Sequence, residues 1–459
     1  MTRTQLVAAA GVLGVAVCGL AVWASSSDSP PTAPERPRAA LLGPATAALG
    51  INEAVSYPLK LENRQGPPSL ARLQADARAT QDLGVRWTRG HTAAWPRLSH
   101  DRWEREGRSW ARMDTWVQVV QSAGLAPLAM VSPWPGNKTR EDTDRFVLDD
   151  PAAYQAFVQA AVERYDGDGI DDMPGLAAPI HHWEIDNEPD LKNLVDLRTG
   201  ETDDFATPAQ FAQVLLVTAA AIRAADPEAV VVGGGFNRVT QAHGHGYMLA
   251  LFQQAGVLDA LDVVSVHAYH QGPGLDTLVL ALQRTREAAP GKPIWLTETS
   301  VPAEGRGDWL SEDWQAQLTV ATVLESLAWG VEKVFWHTLF DPPPQPGNAR
   351  PSGTRTNSLL RREPGGALAR KPAADAWLAL AELLEGVDRS AVRAAQASGG
   401  RAWQVGSQRV VWGHGSVSVR GSWSSAQALL GGQAVPVDSQ SAARVVDAGA
   451  HGGLVVLGP

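Results

Sequence analysis

The sequence has almost no cysteine. Among its 459 residues there is one, Cys18, which lies inside an apolar run near the N-terminus. The remainder of the chain therefore offers no disulfide bond, no thiol nucleophile and no cysteine-ligated zinc, and its stability must come from a packed core. Cysteine chemistry is excluded as the basis of its function.

The chain also lacks an excess of positive charge. Charged residues make up 19% of it, the formal net charge is −10, and the isoelectric point is near 5.6. A broad electrostatic attraction to nucleic acid or to anionic lipid is therefore not expected. A nucleotide-binding fingerprint is missing too, because GGGF at residues 233–236 lacks the GxGxxG spacing. The composition favours neutral or small ligands over polyanions.

A long apolar run is confined to the N-terminus. Arg3 precedes the run from Leu6 to Ala24, and a polar, proline-rich linker follows at residues 25–44. This order is typical of a secretory signal peptide at residues 1–24, with a small residue at its end where a signal peptidase could cut. The run is also close to the length of a membrane span, so an uncleaved anchor is the alternative. Both alternatives predict that the folded part is exported from the cytoplasm.

Beyond the linker, short β-rich runs alternate with amphipathic helical stretches. The β-rich runs occur at residues 48–55, 85–90, 125–133, 181–187, 229–236, 262–269, 293–299 and 333–340. The stretches between them repeat apolar residues at helical spacing, and several end at glycine. Eight strand–helix units predict a (β/α)8 TIM barrel at residues 45–385, with functional residues where strands run into the following loops. An open doubly wound sheet is the less favoured alternative.

After the eighth helix the pattern changes to short β segments separated by glycine and serine. These segments occur at residues 401–406, 409–415, 416–421, 433–438 and 453–459. Short strands with turn residues between them predict a small β-sandwich at residues 386–459. We expect this sandwich to buttress the barrel.

The stretch HHWEIDNEPD, residues 181–190, contains four carboxylates: Glu184, Asp186, Glu188 and Asp190. Pro189 cannot donate to a sheet and marks the end of the strand, which places Glu188 at the mouth of the barrel, where catalytic groups belong. We expect Glu184 to be buried in the barrel wall, as the partner of a basic residue. Asp186 is expected at the strand flank, and Asp190 in the loop, where it could contact a substrate hydroxyl.

A second carboxylate occurs in the same setting. Glu298, in PIWLTETS, lies at the end of the seventh predicted strand. Opposed strands of a barrel can bring two such carboxylates to face each other across one cleft. Paired carboxylates cleave glycosidic bonds: one donates a proton to the leaving oxygen, and the other attacks the anomeric carbon or activates water. Glu188 and Glu298 therefore predict a glycoside hydrolase.

With these motifs the sequence resembles the clan A glycoside hydrolases, whose (β/α)8 barrels carry Asn-Glu after the fourth strand and Glu after the seventh. The resemblance covers residues 45–384. It implies that Glu188 is the acid/base, that Glu298 is the nucleophile, and that Asn187 binds the sugar 2-hydroxyl beside the scissile bond. Within the clan, WEIDNEPD, VRW, LAPLAMVSPWP and the trailing β-domain look most like glycoside hydrolase family 39. That family includes β-xylosidases, iduronidases and bacterial exopolysaccharide hydrolases.

The resemblance also implies substrate-binding residues on other strands. Arg86 in VRW matches the second-strand arginine that steadies the nucleophile, and VHAYH matches a sixth-strand His-x-Tyr through His267 and Tyr269. Trp336 in VFWHT matches the eighth-strand tryptophan that lies under the reacting sugar. Trp134, at the end of the third predicted strand, is a further candidate for stacking on a sugar ring.

The sequence departs from family 39 after the second-strand arginine. Some members carry His-Gly shortly after it, whereas this sequence reads Arg86-Trp87-Thr88-Arg89. The contacts of the sugar site, and the xylosidase specificity, are therefore not carried over.

The resemblance implies a retaining mechanism, in which the two carboxyl groups lie about 5 Å apart. At that distance an ionised Glu298 disfavours ionisation of Glu188, so we expect a raised pKa that keeps this acid protonated. Arg86 and the Tyr269 hydroxyl are expected to keep Glu298 charged. Once Glu298 has bonded to the sugar, Glu188 can act as a base toward water. This chemistry needs no metal and no organic cofactor, and the His-x-His at residues 243–245 has no evident carboxylate partner.

Together these features predict an exported retaining glycoside hydrolase that acts on a plant-type or bacterial polysaccharide, or on its oligosaccharides. Exo and endo action both remain open, because the sequence does not show whether the cleft is a pocket or a groove. The alternative from another class is a non-catalytic glycan-binding protein on a glycosidase barrel. It is disfavoured because binding alone requires neither Glu188 nor Glu298.

Overall fold

The computed structural model describes a set of segments that covers most of the chain. They are residues 43–52, 54–55, 69–90, 97–133, 148, 150–191, 207–303, 311–341, 356–363, 366–421, 423–436, 443–448 and 453–458. The N-terminal apolar run, most of the predicted linker and Trp134 lie outside the described residues.

A parallel barrel is the centre of the fold. Its sheet contains β1 (Leu49–Asn52), β2 (Trp87–Arg89), β3 (Arg97–Ser99), β4 (Ala126–Ser132), β5 (His182–Ile185), β6 (Val230–Phe236), β7 (Val263–His267), β8 (Ile294–Thr299) and β9 (Val331–His337). Apart from β3, these strands pair in sequence order, and β9 pairs back with β1, so that eight strands close the ring. β3 pairs with the last three residues of β4, beyond the residues of β4 that pair with β2. The predicted (β/α)8 barrel is confirmed.

Helices alternate with the barrel strands along the chain. They are α1 (Leu70–Asp82), α2 (His100–Arg105), α3 (Ala111–Ser122), α4 (Pro151–Glu163), α5 (Pro208–Ala225), α6 (Ala242–Phe252), α7 (Asp276–Ala288), α8 (Glu312–Ala328) and α9 (Pro372–Leu383). Several begin at a side chain that accepts a hydrogen bond from a free backbone N–H, as Ser69 and Ser311 do. α5 begins with a full capping box between Thr207 and Gln210.

α5 is, within the described segments, the one helix whose length and composition would also suit a membrane span. Its apolar side chains, among them Phe211, Leu215 and Ile222, are buried in the core between the strands and the helices. Burial of this kind is what a core helix of a barrel shows.

The interior of the barrel is divided into an apolar floor and a polar upper part. Leu128, Val232, Val263, Trp295 and Phe335 form a separate apolar cluster inside the ring. Strand residues two positions apart point to the same side, so the next inward positions above Trp87, His182 and Val263 are Arg89, Glu184 and Ser265. All three of these polar residues are fully buried. The polar part of the interior therefore lies directly above the apolar floor, toward the carboxyl ends of the strands.

Two strands lose their regular register near the mouth of the barrel. The register of β8 shifts against both neighbours around Leu296–Thr299, which brings Glu298 level with His267. β6 shifts between Gly233 and Phe236, and Gly234 and Gly235 have φ angles of +90° and +50°. A Cβ atom at Gly235 would lie 2.8 Å from His267 Nε2. Glycine is therefore needed there for the close approach of a neighbouring imidazole.

The C-terminal part contains a small mixed sheet and two antiparallel sheets. A small sheet contains β10 (Phe340–Asp341), β11 (Leu360–Arg362) and β12 (Leu368–Arg370), and it is followed by α9. The later strands are β13 (Val392–Ala395), β14 (Ala397–Ser398), β15 (Arg401–Val405), β16 (Gln408–Trp412), β17 (Ser416–Arg420), β18 (Ser425–Ala428), β19 (Ala443–Asp447) and β20 (Leu454–Gly458).

These later strands form two sheets, β13-β15-β16-β20-β18 and β14-β17-β19, with a shared apolar core. This arrangement agrees with the predicted sandwich. The predicted segment at residues 433–438 is no strand in its described part, where Ala434 forms a single bridge to Gln427. β19, at residues 443–447, was not predicted.

One buried carboxylate joins the sandwich to the barrel. Glu325 of α8 accepts hydrogen bonds from Trp403 Nε1 at 2.8 Å and from Trp329 Nε1 at 3.1 Å, and it pairs with Arg401 at 3.2 Å. Trp403 and Arg401 belong to β15, and Glu325 is 3% exposed. Because a buried acceptor that loses its partners is costly, this contact fixes how β15 packs on α8.

We predict that Glu325→Ala lowers the free energy of unfolding by about 2–4 kcal/mol, because it leaves two buried indole N–H groups without an acceptor. Urea denaturation followed by tryptophan fluorescence measures the change. Glu382→Ala, on the exposed side of α9, is the control and should change stability by less than about 0.5 kcal/mol. Equal effects of the two substitutions would contradict the assignment.

Candidate active site

The mouth of the barrel brings Glu188 and Glu298 together. An oxygen atom of each carboxyl group and a ring nitrogen of His267 all lie within 4.8 Å of one another. The Glu188 side chain is 17% exposed and that of Glu298 is 4% exposed, so Glu188 is the more open of the two. Asp186 and Glu188 both have positive φ angles, of 58° and 53°. Such angles are uncommon for residues other than glycine and indicate that surrounding contacts hold the backbone in a conformation that costs free energy.

A single buried arginine, Arg89, connects the polar groups of the mouth. Its Nη1 donates to Glu298 Oε1 at 2.7 Å, its Nη2 donates to Asn187 Oδ1 at 2.8 Å, and its Nε donates to Glu184 Oε2. Burial alone would lower the pKa of Arg89, but the charges of Glu184 and Glu298 outweigh it, and the pKa is raised. Arg89 therefore remains a cation that faces the proposed nucleophile.

The prediction that Arg86 steadies the nucleophile is wrong. Arg86 is exposed and precedes β2, whereas Arg89 is the last residue of that strand. Inward positions on the strand alternate, and Arg89 shares its side with Trp87, which packs against the apolar floor. The motif VRWTRG contains two arginines, and this alternation separates them.

Glu184 is the buried partner of Arg89, as expected for a carboxylate in the barrel wall. Its Oε1 accepts a hydrogen bond from Ser265 Oγ at 2.8 Å. The same hydroxyl oxygen accepts from the backbone N–H of Gly235 at 2.8 Å. Glu184 therefore holds the guanidinium from below and ties it to β6 and β7.

Glu298 is surrounded by hydrogen-bond donors. Besides Arg89, the Tyr269 hydroxyl donates to Oε2, and His267 Nδ1 lies 3.5 Å from the same oxygen. Burial raises the pKa of Tyr269 well above its usual value, and the charges of Glu298 and Glu188 raise it further. Tyr269 thus remains a protonated donor to the carboxylate.

Glu188 has a different set of partners. Its Oε1 accepts from His267 Nδ1 at 2.8 Å and from Asn237 Nδ2. Burial raises the pKa of Glu188, but the hydrogen bond and the charge of His267, with help from Asn237, outweigh this effect and that of Glu298, and the pKa is lowered. The expectation that the pKa of Glu188 is raised is therefore wrong for the site without substrate. That expectation considered only Glu298 and left out the imidazole of His267, which contacts both carboxylates.

His267 is the counterpart of this shift. Burial would lower its pKa, but the charge of Glu298 and the hydrogen bond and charge of Glu188 outweigh burial, and its pKa is raised. The lowered pKa of Glu188 and the raised pKa of His267 concern the same proton, which the two residues share in their hydrogen bond. The titration of this proton therefore belongs to the pair and not to either residue alone.

The eighth barrel strand does not present a tryptophan to the mouth. Trp336 is fully buried, donates from Nε1 to the carbonyl oxygen of Asn357 at 2.9 Å, and packs 6.3 Å from Trp377 of α9. Its neighbour His337 lies at the mouth instead, where Asn52 Nδ2 is 3.1 Å from its Nδ1 and the Tyr269 ring is 6.0 Å away. The prediction for Trp336 is wrong by one residue, which in a strand exchanges the two faces.

The Asp190 carboxylate is buried against the loop after β6. It is 2% exposed, and its two oxygens accept from the backbone N–H groups of Asn237 at 2.9 Å and Arg238 at 2.7 Å. The expectation of a sugar contact is wrong, because both oxygens are taken up by the loop after β6.

Four residues of the site were missed in the sequence: Asn52, Arg89, Asn237 and His337. All four lie at, or one residue beyond, the carboxyl end of a barrel strand. Arg89 could have been found from its alternation with Trp87, and Asn237 from its place directly after the glycine-rich strand. Asn52 and His337 are end residues of paired strands and face each other in register.

Two groups in the described segments have a spacing that could suit a metal ion. One is Glu188, His267 and Glu298, whose atoms already bond to one another and to the neighbouring donors. The other comprises Glu163, the last residue of α4, with Asp166 and Asp168 in the turn that follows it.

Comparison with known proteins supports this geometry. Residues 186–362 match a family model described as glycosyl hydrolase catalytic core, and the match includes both carboxylates. Over the residues that it covers, the match agrees with the predicted resemblance to glycoside hydrolases. The closed barrel and the paired carboxylates agree with the catalytic core that this match describes. No curated protein sequence matches the chain significantly.

Solved structures share the fold at low identity. A GH39 β-xylosidase from Caulobacter crescentus is 17% identical, with a TM-score of 0.53 over 91% of this chain and 97% of that one. An α-L-arabinofuranosidase from Thermotoga maritima is 12% identical, with a TM-score of 0.53 over 90% and 96%. A glucosidase from Croceicoccus marinus is 17% identical, with a TM-score of 0.50 over 80% and 75%. Identities this low establish the fold and not the sugar.

We predict that Arg89→Lys lowers kcat/KM for glycoside hydrolysis by about 100-fold or more, because an ammonium cannot serve three acceptors in one plane. Initial rates on the best aryl glycoside from a panel measure this. Arg86→Ala is the matched control on the same strand run and should leave kcat/KM within about twofold of wild type. A loss caused by Arg86→Ala, with Arg89→Lys unaffected, would restore the original prediction.

Proposed function

We propose that the protein is an exported retaining glycoside hydrolase, with Glu298 as the nucleophile and Glu188 as the acid/base. The observation that carries the proposal is that two carboxyl groups approach within 4.8 Å while their partners differ. Retaining enzymes hold their carboxyl groups about 5–5.5 Å apart, whereas inverting enzymes leave about 6.5–9.5 Å for a water molecule. The short separation favours direct attack by a carboxylate.

The partners of Glu298 suit a nucleophile. Arg89 and Tyr269 each donate to one of its oxygens, so the group is held as a carboxylate with a fixed orientation. Preorganised donors of this kind need not reorient when the charge moves during the reaction. When Glu298 attacks the anomeric carbon, its negative charge is lost to the new C–O bond and the guanidinium remains paired with Glu184.

The partners of Glu188 suit an acid that later becomes a base. When the proton of the pair lies on Glu188, the carboxyl group donates it to the leaving oxygen as the glycosidic bond breaks. The resulting carboxylate is stabilised by His267 and Asn237. Water then attacks the glycosyl-enzyme, gives a proton to Glu188 and releases Glu298 as a carboxylate. Because the pKa of His267 is raised, the shared proton stays in the site at pH values above the ordinary imidazole pKa of 6.5.

Asn187 is the proposed ligand of the sugar 2-hydroxyl. Arg89 Nη2 occupies its side-chain oxygen, and its backbone N–H donates to Asp186 Oδ1 at 2.7 Å. The guanidinium thereby orients the amide so that its nitrogen is the free donor end. Hydrogen bonds to the 2-hydroxyl strengthen in the transition state of glycoside hydrolysis, so a fixed amide contributes to rate.

The proposed substrate is a plant-type or bacterial polysaccharide, or its oligosaccharides. The three similar structures are a β-xylosidase, an α-L-arabinofuranosidase and a glucosidase, so they support saccharide hydrolysis and no single sugar. Export is proposed from the basic residue and apolar run at residues 1–24, which resemble a secretory signal or an anchor.

Two variants test the proposal. Glu298→Ala and Glu188→Ala should each lower kcat at least about 1,000-fold on a natural-type substrate while the fold persists. Azide, a small anionic nucleophile, should restore turnover of an activated aryl glycoside in both. It should give a glycosyl azide of inverted configuration with Glu298→Ala and of retained configuration with Glu188→Ala.

These variants separate the proposal from its alternative. A non-catalytic glycan-binding protein would bind an oligosaccharide with no turnover in the wild type and no effect of azide in either variant. Hydrolysis that persists in Glu298→Ala without azide would overturn the assignment of the nucleophile.

A further inference from the structure

The last carboxylate of the HHWEIDNEPD stretch is used in an unexpected way. Asp190 accepts hydrogen bonds from two consecutive backbone N–H groups, those of Asn237 and Arg238, at 2.9 and 2.7 Å. These residues directly follow β6, and Asn237 Nδ2 donates to Glu188 Oε1. Asp190 therefore holds the backbone of the residue whose side chain holds Glu188.

We propose that Asp190 and Asn237 form a positioning pair for the acid/base, in which the Asp190 carboxylate fixes the loop after β6 and thereby the amide that orients Glu188. The pair rests on the proposed function of Glu188. Neither residue is proposed to touch the reacting atoms, and both act through Glu188.

The backbone around Glu188 shows why such a pair is needed. Glu188 has a φ angle of 53°, so its main chain is in a region that costs free energy for a side chain with a Cβ atom. Its backbone N–H donates to the carbonyl oxygen of Gly234 at 3.1 Å. The turn after β5 is thus joined to the end of β6 by three contacts, through the backbone of Glu188, its side chain and Asp190. Removing one of them frees a strained turn that carries the acid.

The charge of Asp190 is part of the arrangement. Burial raises its pKa to about 6, against the effect of the two backbone hydrogen bonds, while Glu188 raises it and His267 lowers it. Above this pKa the carboxylate accepts from both N–H groups, and below it the protonated form offers a weaker acceptor. The pair should therefore hold Glu188 best above pH 6.

The test compares two substrates with the same sugar, one with an alkoxide-like leaving group and one with a 2,4-dinitrophenolate leaving group. The first needs protonation by Glu188, and the second leaves without it. Asn237→Ala and Asp190→Asn should each lower kcat/KM on the first substrate by about 10- to 100-fold and on the second by less than about threefold. For Asp190→Asn, the ratio of wild-type to variant rate should fall toward 1 as the pH falls through about 6.

The control is Asp262→Asn. Asp262 also accepts from the backbone of β6, at Val231 N, 2.8 Å away, but at the opposite end of the strand. It should change neither substrate's kcat/KM by more than about twofold. If Asp190→Asn does not fold, Asn237→Ala, which leaves the carboxylate and the loop backbone in place, decides the question.

The outcomes are separable. Equal losses on both substrates, or no loss on either, would overturn the positioning role while leaving the proposed function intact. No hydrolysis of any glycoside by the wild type would overturn the proposed function itself.

Discussion

The buried guanidinium of Arg89 is the interaction on which the site depends. It lies between the carboxylates of Glu184 and Glu298 and the amide of Asn187, at the top of the barrel. Arg89 and both carboxylates are buried, and Asn187 is partly exposed. Two carboxylates buried so close together would repel each other in a low-dielectric interior, and a cation between them removes that cost. The cation in turn is costly to bury unless all of its donors are used. Arg89 therefore makes two kinds of contact. Its pairing with Glu184 stabilises the interior of the barrel, and its hydrogen bond to Glu298 holds the proposed nucleophile in place.

The two halves of the site differ because their neighbours differ. On the side of Glu298 the donors are a guanidinium and a phenol with a strongly raised pKa, neither of which gives up a proton near neutrality. On the side of Glu188 one donor is an imidazole, which does. In the proposed mechanism, two glutamates of the same intrinsic acidity thereby acquire two roles: Glu298 is held as a carboxylate by donors that keep their protons, and Glu188 can exchange a proton. His267 contacts both, at 2.8 and 3.5 Å, and is the point where the halves meet.

The barrel could be predicted because parallel strands buried on both faces give continuous apolar runs, and because helices with caps and terminal glycines lie between them. The close approach of Glu188 and Glu298 could be predicted because each carboxylate lies at or just beyond the end of a strand, beside a proline in one case. The errors were of a different kind. Arg86 precedes the correct strand, three residues before Arg89, and Trp336 lies on the wrong face of the correct strand. An odd shift in sequence along a strand exchanges the two faces of the sheet. Phe335, in the apolar floor, would have indicated that His337 and not Trp336 points into the barrel.

Other features were beyond the sequence for a physical reason. Asp190 and Asn237 are neighbours in space but 47 residues apart in the chain, and no periodicity connects a loop carboxylate to a backbone N–H on the next strand. The lowered pKa of Glu188 also depends on a three-body arrangement, because the imidazole of His267 reverses the effect that Glu298 alone would have. Distances of this kind depend on the bulges in β6 and β8, which the strand pattern does not encode.

The stereochemical course of hydrolysis tests the central claim most directly. Proton NMR spectra recorded in the first minutes of the reaction identify the anomer released before mutarotation, with a glycoside of known configuration as substrate. Two carboxylates as close as Glu188 and Glu298 predict that the first-formed sugar has the same anomeric configuration as the substrate, because two inversions follow one another. A first-formed product of the opposite configuration would contradict the account, since it would require water, and not Glu298, to attack the anomeric carbon.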